Sequence, residues 1–178
     1  MIGSTGRRRS TAMRHIISIL LQNEAGALAR VANLFSSRGY NIESLNVAPT
    51  ADETVSRLTL VTSGSDSVIE QIGKQLGKLI DVVEIADMTS SDHIERELAL
   101  FKLQVANGAG EKLQAAVQQF DARVLNDTQG HYTVELVGGS HDIDRFLKRV
   151  AAITDVVTVV RSGAMAVTRG TPAHQRGS

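Results

Sequence analysis

Few residues in this chain have the types and spacing that chemistry requires. The five histidines, His15, His93, His131, His141 and His174, fall too far apart for the close pairs of a zinc or iron site. There is no cysteine, which removes thiolate ligands, cysteine nucleophiles and disulfides together. Ser140-His141-Asp142 holds the three letters of a hydrolase triad, but sequence neighbours cannot take the separate positions of nucleophile, base and orienter. That run reads instead as a helix start with Ser140 as N-cap. Asp92, Glu95 and Glu97 offer a carboxylate pair, yet His93 and Arg96 interleave them, the pattern of a solvated linker. Asn107-Gly108-Ala109-Gly110 fits neither a P-loop nor the GxGxxG fingerprint with its trailing acid. With no convergent acid, base or nucleophile, an independent enzyme is disfavoured.

What remains is a binding loop. Asn23-Glu24-Ala25-Gly26-Ala27-Leu28 leaves an apolar strand-like run and enters a helical stripe, so it sits at a helix N-terminus. Free backbone N–H groups and the helix dipole favour a carboxylate there, and a glycine lets a ligand approach the backbone. On the residues alone the loop fits an ordinary turn better than a binding site, with Gly26 supplying the bend and Asn23 capping the helix. An acid at Gly26 is expected to be tolerated by the fold unless that glycine occupies positive φ.

The elements that position this loop follow from periodicity. Helical stripes run through Leu28, Val31, Ala32 and Phe35; Ile69, Ile72, Leu76 and Leu79; Leu113, Ala116, Val117 and Phe120; and Ile143, Phe146, Leu147 and Val150. Between them lie β-rich runs at 15–21, 42–47, 55–62, 82–88, 98–105, 122–126, 131–137 and 156–161. The order is βαββαβ, twice, with turn residues at 49–53 and 126–130 making a hairpin inside each copy. Ser67 and Glu70 read as a capping box for the second helix. Each copy predicts an α+β ferredoxin-like domain, an antiparallel sheet with both helices on one face. The polar stretch Thr89-Ser90-Ser91-Asp92 separates the copies and places domains at 13–88 and 98–168, joined by a linker at 89–97. Ile16 and Leu20 oppose Ile17, Ile19 and Leu21, so the first strand is apolar on both faces, and another domain or subunit is expected to cover the open one.

Composition narrows the partners. Nineteen basic and nineteen acidic residues leave no net field to attract nucleic acid. RNA-recognition modules share the βαββαβ order but need stacking aromatics on their strands, and both the first strand and Val55-Ser56-Arg57-Leu58-Thr59-Leu60 lack them. No apolar run approaches the roughly 20 residues of a membrane span, and a cytoplasmic protein is expected. Residues 1–12, with Arg7-Arg8-Arg9 among Gly, Ser and Thr, read as disordered or carried over from cloning, and 169–178 as a disordered tail.

At the loop the sequence resembles a known family. Asn23-Glu24-Ala25-Gly26-Ala27-Leu28, followed by Arg38-Gly39-Tyr40-Asn41-Ile42, resembles the amino-acid-binding ACT domain. Asn41-Ile42-Glu43-Ser44-Leu45, Val47-Ala48-Pro49-Thr50 and Ser56-Arg57-Leu58-Thr59 are similar to the small regulatory subunits of acetolactate synthase, as are Glu95-Arg96-Glu97 and Arg161-Ser162-Gly163. The resemblance covers 13–169 and implies an N-terminal ACT domain with an ACT-like second domain. It implies a chain without catalytic residues or cofactor of its own that binds and activates the large catalytic subunit of acetolactate synthase. Thiamine diphosphate, FAD and magnesium would sit on that partner. It further implies feedback inhibition by valine or another branched-chain amino acid, and homodimers formed through the ACT domain. The effector site would pair Asn23, Gly26, Ala27 and Leu28 of one copy with Asn41 and Ile42 of the other. On residue chemistry alone, Leu28 and Ile42 equally fit core packing, and the alternative role of Asn41 is to turn the chain after Gly39-Tyr40. A freestanding ACT sensor acting on another enzyme or a transcription factor is the alternative; the second domain and the lack of a basic helix-turn-helix argue against it.

Overall fold

A computed structural model describes residues 13–106 and 108–170, so the expectations for 1–12, for Asn107 and for the end of the tail lie outside the described residues. The chain divides into two compact units between Asp92 and His93, the second ending at Arg169.

The first unit contains β1 (Met13–Gln22), α1 (Ala27–Ser37), β2 (Ser44–Pro49), β3 (Val55–Gly64), α2 (Asp66–Leu76) and β4 (Val82–Asp87). Its antiparallel sheet has the order β2-β3-β1-β4. The register pairs Ile17 with Leu60 and Ile19 with both Leu58 and Ile85, collecting the apolar residues on one face. Because side chains alternate along a strand, Ile16, Ser18 and Leu20 fall on the other face beside Val61, Thr59 and Arg57. The first face is closed by Val31, Leu34 and Phe35 of α1 and by Ile69, Ile72 and Leu76 of α2. Leu58, Leu60, Ile19 and Phe35 are fully buried, each contributing about 1.5–3 kcal/mol of hydrophobic stabilisation.

The second unit repeats the plan with β5 (His93–Gln104), α3 (Gly110–Gln119), β6 (Arg123–Thr128), β7 (His131–Gly138), α4 (Ser140–Ala151) and β8 (Asp155–Arg161), in the order β6-β7-β5-β8. Phe146 centres its core, edge-on to Phe101 at 4.9 Å and to Phe120 at 5.4 Å.

Three sequence expectations are corrected. Residues 93–97, expected as linker, form the first part of β5, because an unanticipated strand β9 (Met165–Thr168) pairs with it from His93 to Arg96. The charges there are not simply solvated. Glu97 is buried and accepts two hydrogen bonds from Arg161, at 2.8 and 2.7 Å. The capping box at Ser67 is absent: the N-cap of α2 is Ser65, and Glu70 instead accepts from Lys74 at 2.7 Å. Ser140 is not a cap either, since Gly139 holds that position. The Ser140 hydroxyl, one position inside the helix, donates toward the carboxylates of Glu95 at 2.5 Å and Glu97 at 3.1 Å.

Candidate functional site

The loop between β1 and α1 is built around Gly26, the N-cap of α1, whose φ of 85° and ψ of −7° lie in the left-handed region. An L-residue there costs about 1–2 kcal/mol, so the turn itself selects glycine and an acid at this position is not neutral for folding. The Ala27 N–H donates to the Glu24 carbonyl at 3.1 Å and the Arg30 N–H to the Gly26 carbonyl at 3.0 Å, closing the turn and opening the helix. No side chain caps α1. Among the described residues the Leu28 and Ala29 N–H groups have no acceptor, which leaves the positive end of the helix dipole available to an anion.

Asn23 does not cap the helix. Its backbone N–H donates to the Thr54 carbonyl at 2.8 Å and its side-chain amide to the Glu53 carbonyl at 3.1 Å, tying the loop to the β2–β3 hairpin. Ala27 is buried under the loop, whereas Leu28 stands 37% exposed, outside the core. Ile42 packs partly against the core, so lining and packing are compatible in its case. The turn after α1 is made by Gly39, with φ of 70°, and not by Asn41. Asn41 contributes its carbonyl to the Thr62 hydroxyl at 2.6 Å, and its side chain is exposed.

One copy of the chain does not bring the six residues together. Asn23 and Gly26 precede α1 and Ala27 and Leu28 open it, whereas Asn41 and Ile42 follow it, and its 11 residues span about 16 Å. The strands agree with this separation. Gln22 pairs with Val55 at the start of β3, and Thr62, which holds Asn41, lies seven residues further along the same strand.

Sequence reasoning missed Arg30 and Asp81. The Arg30 guanidinium donates through Nε to Asp81 Oδ2 at 2.5 Å and through Nη2 to Oδ1 at 2.8 Å. The Asp81 side chain is buried, and its own carbonyl accepts the Gln22 N–H at 2.8 Å, which seats it beside the end of β1. The hydrogen bond from Arg30 holds the Asp81 carboxyl below the usual carboxylate range, and Asp81 in turn raises the guanidinium. Arg30 lies one helical turn beyond Gly26, a spacing that points its side chain back toward the loop. Nothing local marks Asp81. Among the described residues no group of three or more His, Cys, Asp or Glu side chains is placed to hold a metal ion, and no helix is long and apolar enough to cross a membrane.

The architecture is that of two tandem ferredoxin-like domains, and the first matches the AHAS small subunit-like ACT domain over residues 17–84. Residues 96–170 match the model described as the small subunit of acetolactate synthase. The chain is 45% identical over 158 residues to the acetolactate synthase isozyme 3 small subunit of Escherichia coli K12, covering 89% of this chain and 97% of that one. It is 41% identical over 158 residues to the acetolactate synthase small subunit of Haemophilus influenzae, again over 89% and 97% of the two chains. The crystal structure of the Thermotoga maritima acetolactate synthase small subunit superposes with a TM-score of 0.80 at 30% identity, over 90% of this chain and 99% of the other. This chain belongs to the family of acetolactate synthase small, regulatory subunits.

Proposed function

We propose that this chain raises the activity of an acetolactate synthase catalytic subunit and makes that activity sensitive to valine. The α-carboxylate of the amino acid docks on the N–H groups at the start of α1 in one copy. Asn23 of that copy and Asn41 of a second copy orient the polar groups, and exposed Leu28 and half-buried Ile42 line the apolar side. The observation supporting this reading is the separation of the six residues to opposite ends of α1, which one chain cannot close and a pair of chains related by a twofold axis can. Thiamine diphosphate, FAD and magnesium belong to the catalytic partner in this scheme. Valine inhibits because it binds the less active state of the complex more tightly, a coupling typically of about 1–3 kcal/mol. The test is pyruvate turnover by the catalytic subunit alone, with this chain, and with this chain plus valine. Expected are low, high and lowered rates in that order; an unchanged rate on adding the chain would overturn the reading.

A further inference from the structure

We propose that Arg30, clamped by Asp81, is the residue that makes the effector site select a carboxylate, its free nitrogen Nη1 meeting the acid group beside Gly26. This deepens the effector reading above and rests on it. A guanidinium carries five N–H donors in a fixed fork, and Asp81 engages it only through Nε and Nη2. Nη1 has no partner among the described residues and faces the loop. A Cβ built on Gly26 would stand 3.1 Å from Nη1 and 3.8 Å from the guanidinium carbon. Glycine at position 26 therefore does two things: it satisfies a left-handed φ, and it keeps a side chain from covering this nitrogen.

The clamp fixes where the charge points. A half-exposed arginine ordinarily samples many rotamers, but here one edge of the fork is held by a buried carboxylate that is itself seated against β1 through the Gln22 N–H. The edge left over stands at the same helix start as the unpartnered Leu28 and Ala29 N–H groups. A carboxylate there meets two neutral donors and one cationic donor, and the cationic one distinguishes an acid from an amide of the same shape. Arg30 is thus a specificity-determining residue of the site, and Asp81 a positioning residue that acts through it.

The experiment is calorimetric titration of the full chain with valine and with valinamide, which keeps the side chain and ammonium but lacks the carboxylate. Wild type is expected to prefer valine strongly. Arg30→Met should weaken valine roughly 10- to 100-fold, the value of one charge-assisted hydrogen bond, and leave valinamide no weaker. Arg30→Lys should recover part of the preference. Since Arg30→Met strands the buried Asp81 carboxylate, the double variant Arg30→Met/Asp81→Asn provides a fold-neutral comparison and should show the same lost preference. A purely structural role for Arg30 would weaken both ligands together. If wild type binds valine and the variants keep its valine-to-valinamide ratio, the inference about Arg30 is wrong. If wild type binds neither ligand, the effector reading itself falls.

Discussion

Replacing Gly26 with aspartate separates folding from effector sensing, and the structure sets the size of each effect. At φ of 85° an L-residue costs about 1–2 kcal/mol, with aspartate at the low end because it tolerates the left-handed region. Its Cβ would stand 3.1 Å from the tip of the flexible Arg30 side chain, which can give way by a few tenths of an ångström. The new carboxylate at the N-terminus of α1 returns about 0.3–1 kcal/mol. The net loss of stability stays below about 1 kcal/mol, a fall of at most a few degrees in melting temperature. The effect on valine is larger. The aspartate takes the same N–H groups and the same guanidinium edge that the ligand carboxylate needs, and it repels that carboxylate. Two charge-assisted hydrogen bonds at about 1.5–3 kcal/mol each amount to at least about 3 kcal/mol, more than 100-fold in affinity. Gly26→Ala, which carries the backbone cost and crowds Arg30 Nη1 but adds no competing carboxylate, should weaken the valine response less than Gly26→Asp does. The assay is a valine dose response of the reconstituted enzyme beside a thermal melt of each variant. A folded, activating Gly26→Asp chain inhibited at wild-type valine concentrations would refute the reasoning.

Other outcomes follow from the same geometry. Rigorously purified chain should turn over no pyruvate while accelerating its catalytic partner; measurable synthase activity of the chain alone would contradict this. Sedimentation with valine bound should show at least a dimer, against a persistent monomer at micromolar concentration. Asp81 has its carboxyl held below the usual range by Arg30, so its contribution to stability is complete above the ordinary carboxylate pKa of about 4 and disappears as pH falls through its lower folded value. Wild type should therefore exceed Asp81→Asn in denaturant midpoint at pH 7, and the two should converge in stronger acid; a constant difference would be inconsistent. Arg161→Met strands the buried Glu97 carboxylate and should cost about 3 kcal/mol of unfolding free energy, whereas Arg161→Met with Glu97→Gln should recover much of it. A loss below about 1 kcal/mol for the single variant would show that the pair is not clamping β5 to β8.

The elements were readable wherever side-chain periodicity reports burial. Leu28 was the exception within its stripe: it followed the helical spacing yet lies outside the core, at the edge of the loop. The β9 strand escaped notice because Met165-Ala166-Val167-Thr168 is too short to show alternation, and its pairing with His93 to Arg96 is set by distant sequence. Glu97 read as solvated because charge is normally exposed, and only Arg161, brought across from β8, makes its burial tolerable. Ser67 and Ser140 carried the right cap chemistry but fell inside their helices, two positions past Ser65 and one past Gly139. In the site, the loop was marked by Gly26 and its place at a helix start. The sign of φ was not, because glycine allows both. Arg30 and Asp81 lie 51 residues apart, and no local pattern joins them.

An effector site shared between two copies can be tested by subunit complementation. Gly26→Asp disables the α1 loop and Asn41→Ala disables the opposite half, so neither variant alone should bind valine in a calorimetric titration. After the two are mixed and allowed to exchange, about half the dimers are mixed, and each mixed dimer holds one intact site and one doubly damaged site. Binding should return at near wild-type affinity with about a quarter of the wild-type site number. If the site lies within one chain, every copy in the mixture still carries a damaged site, and no binding returns.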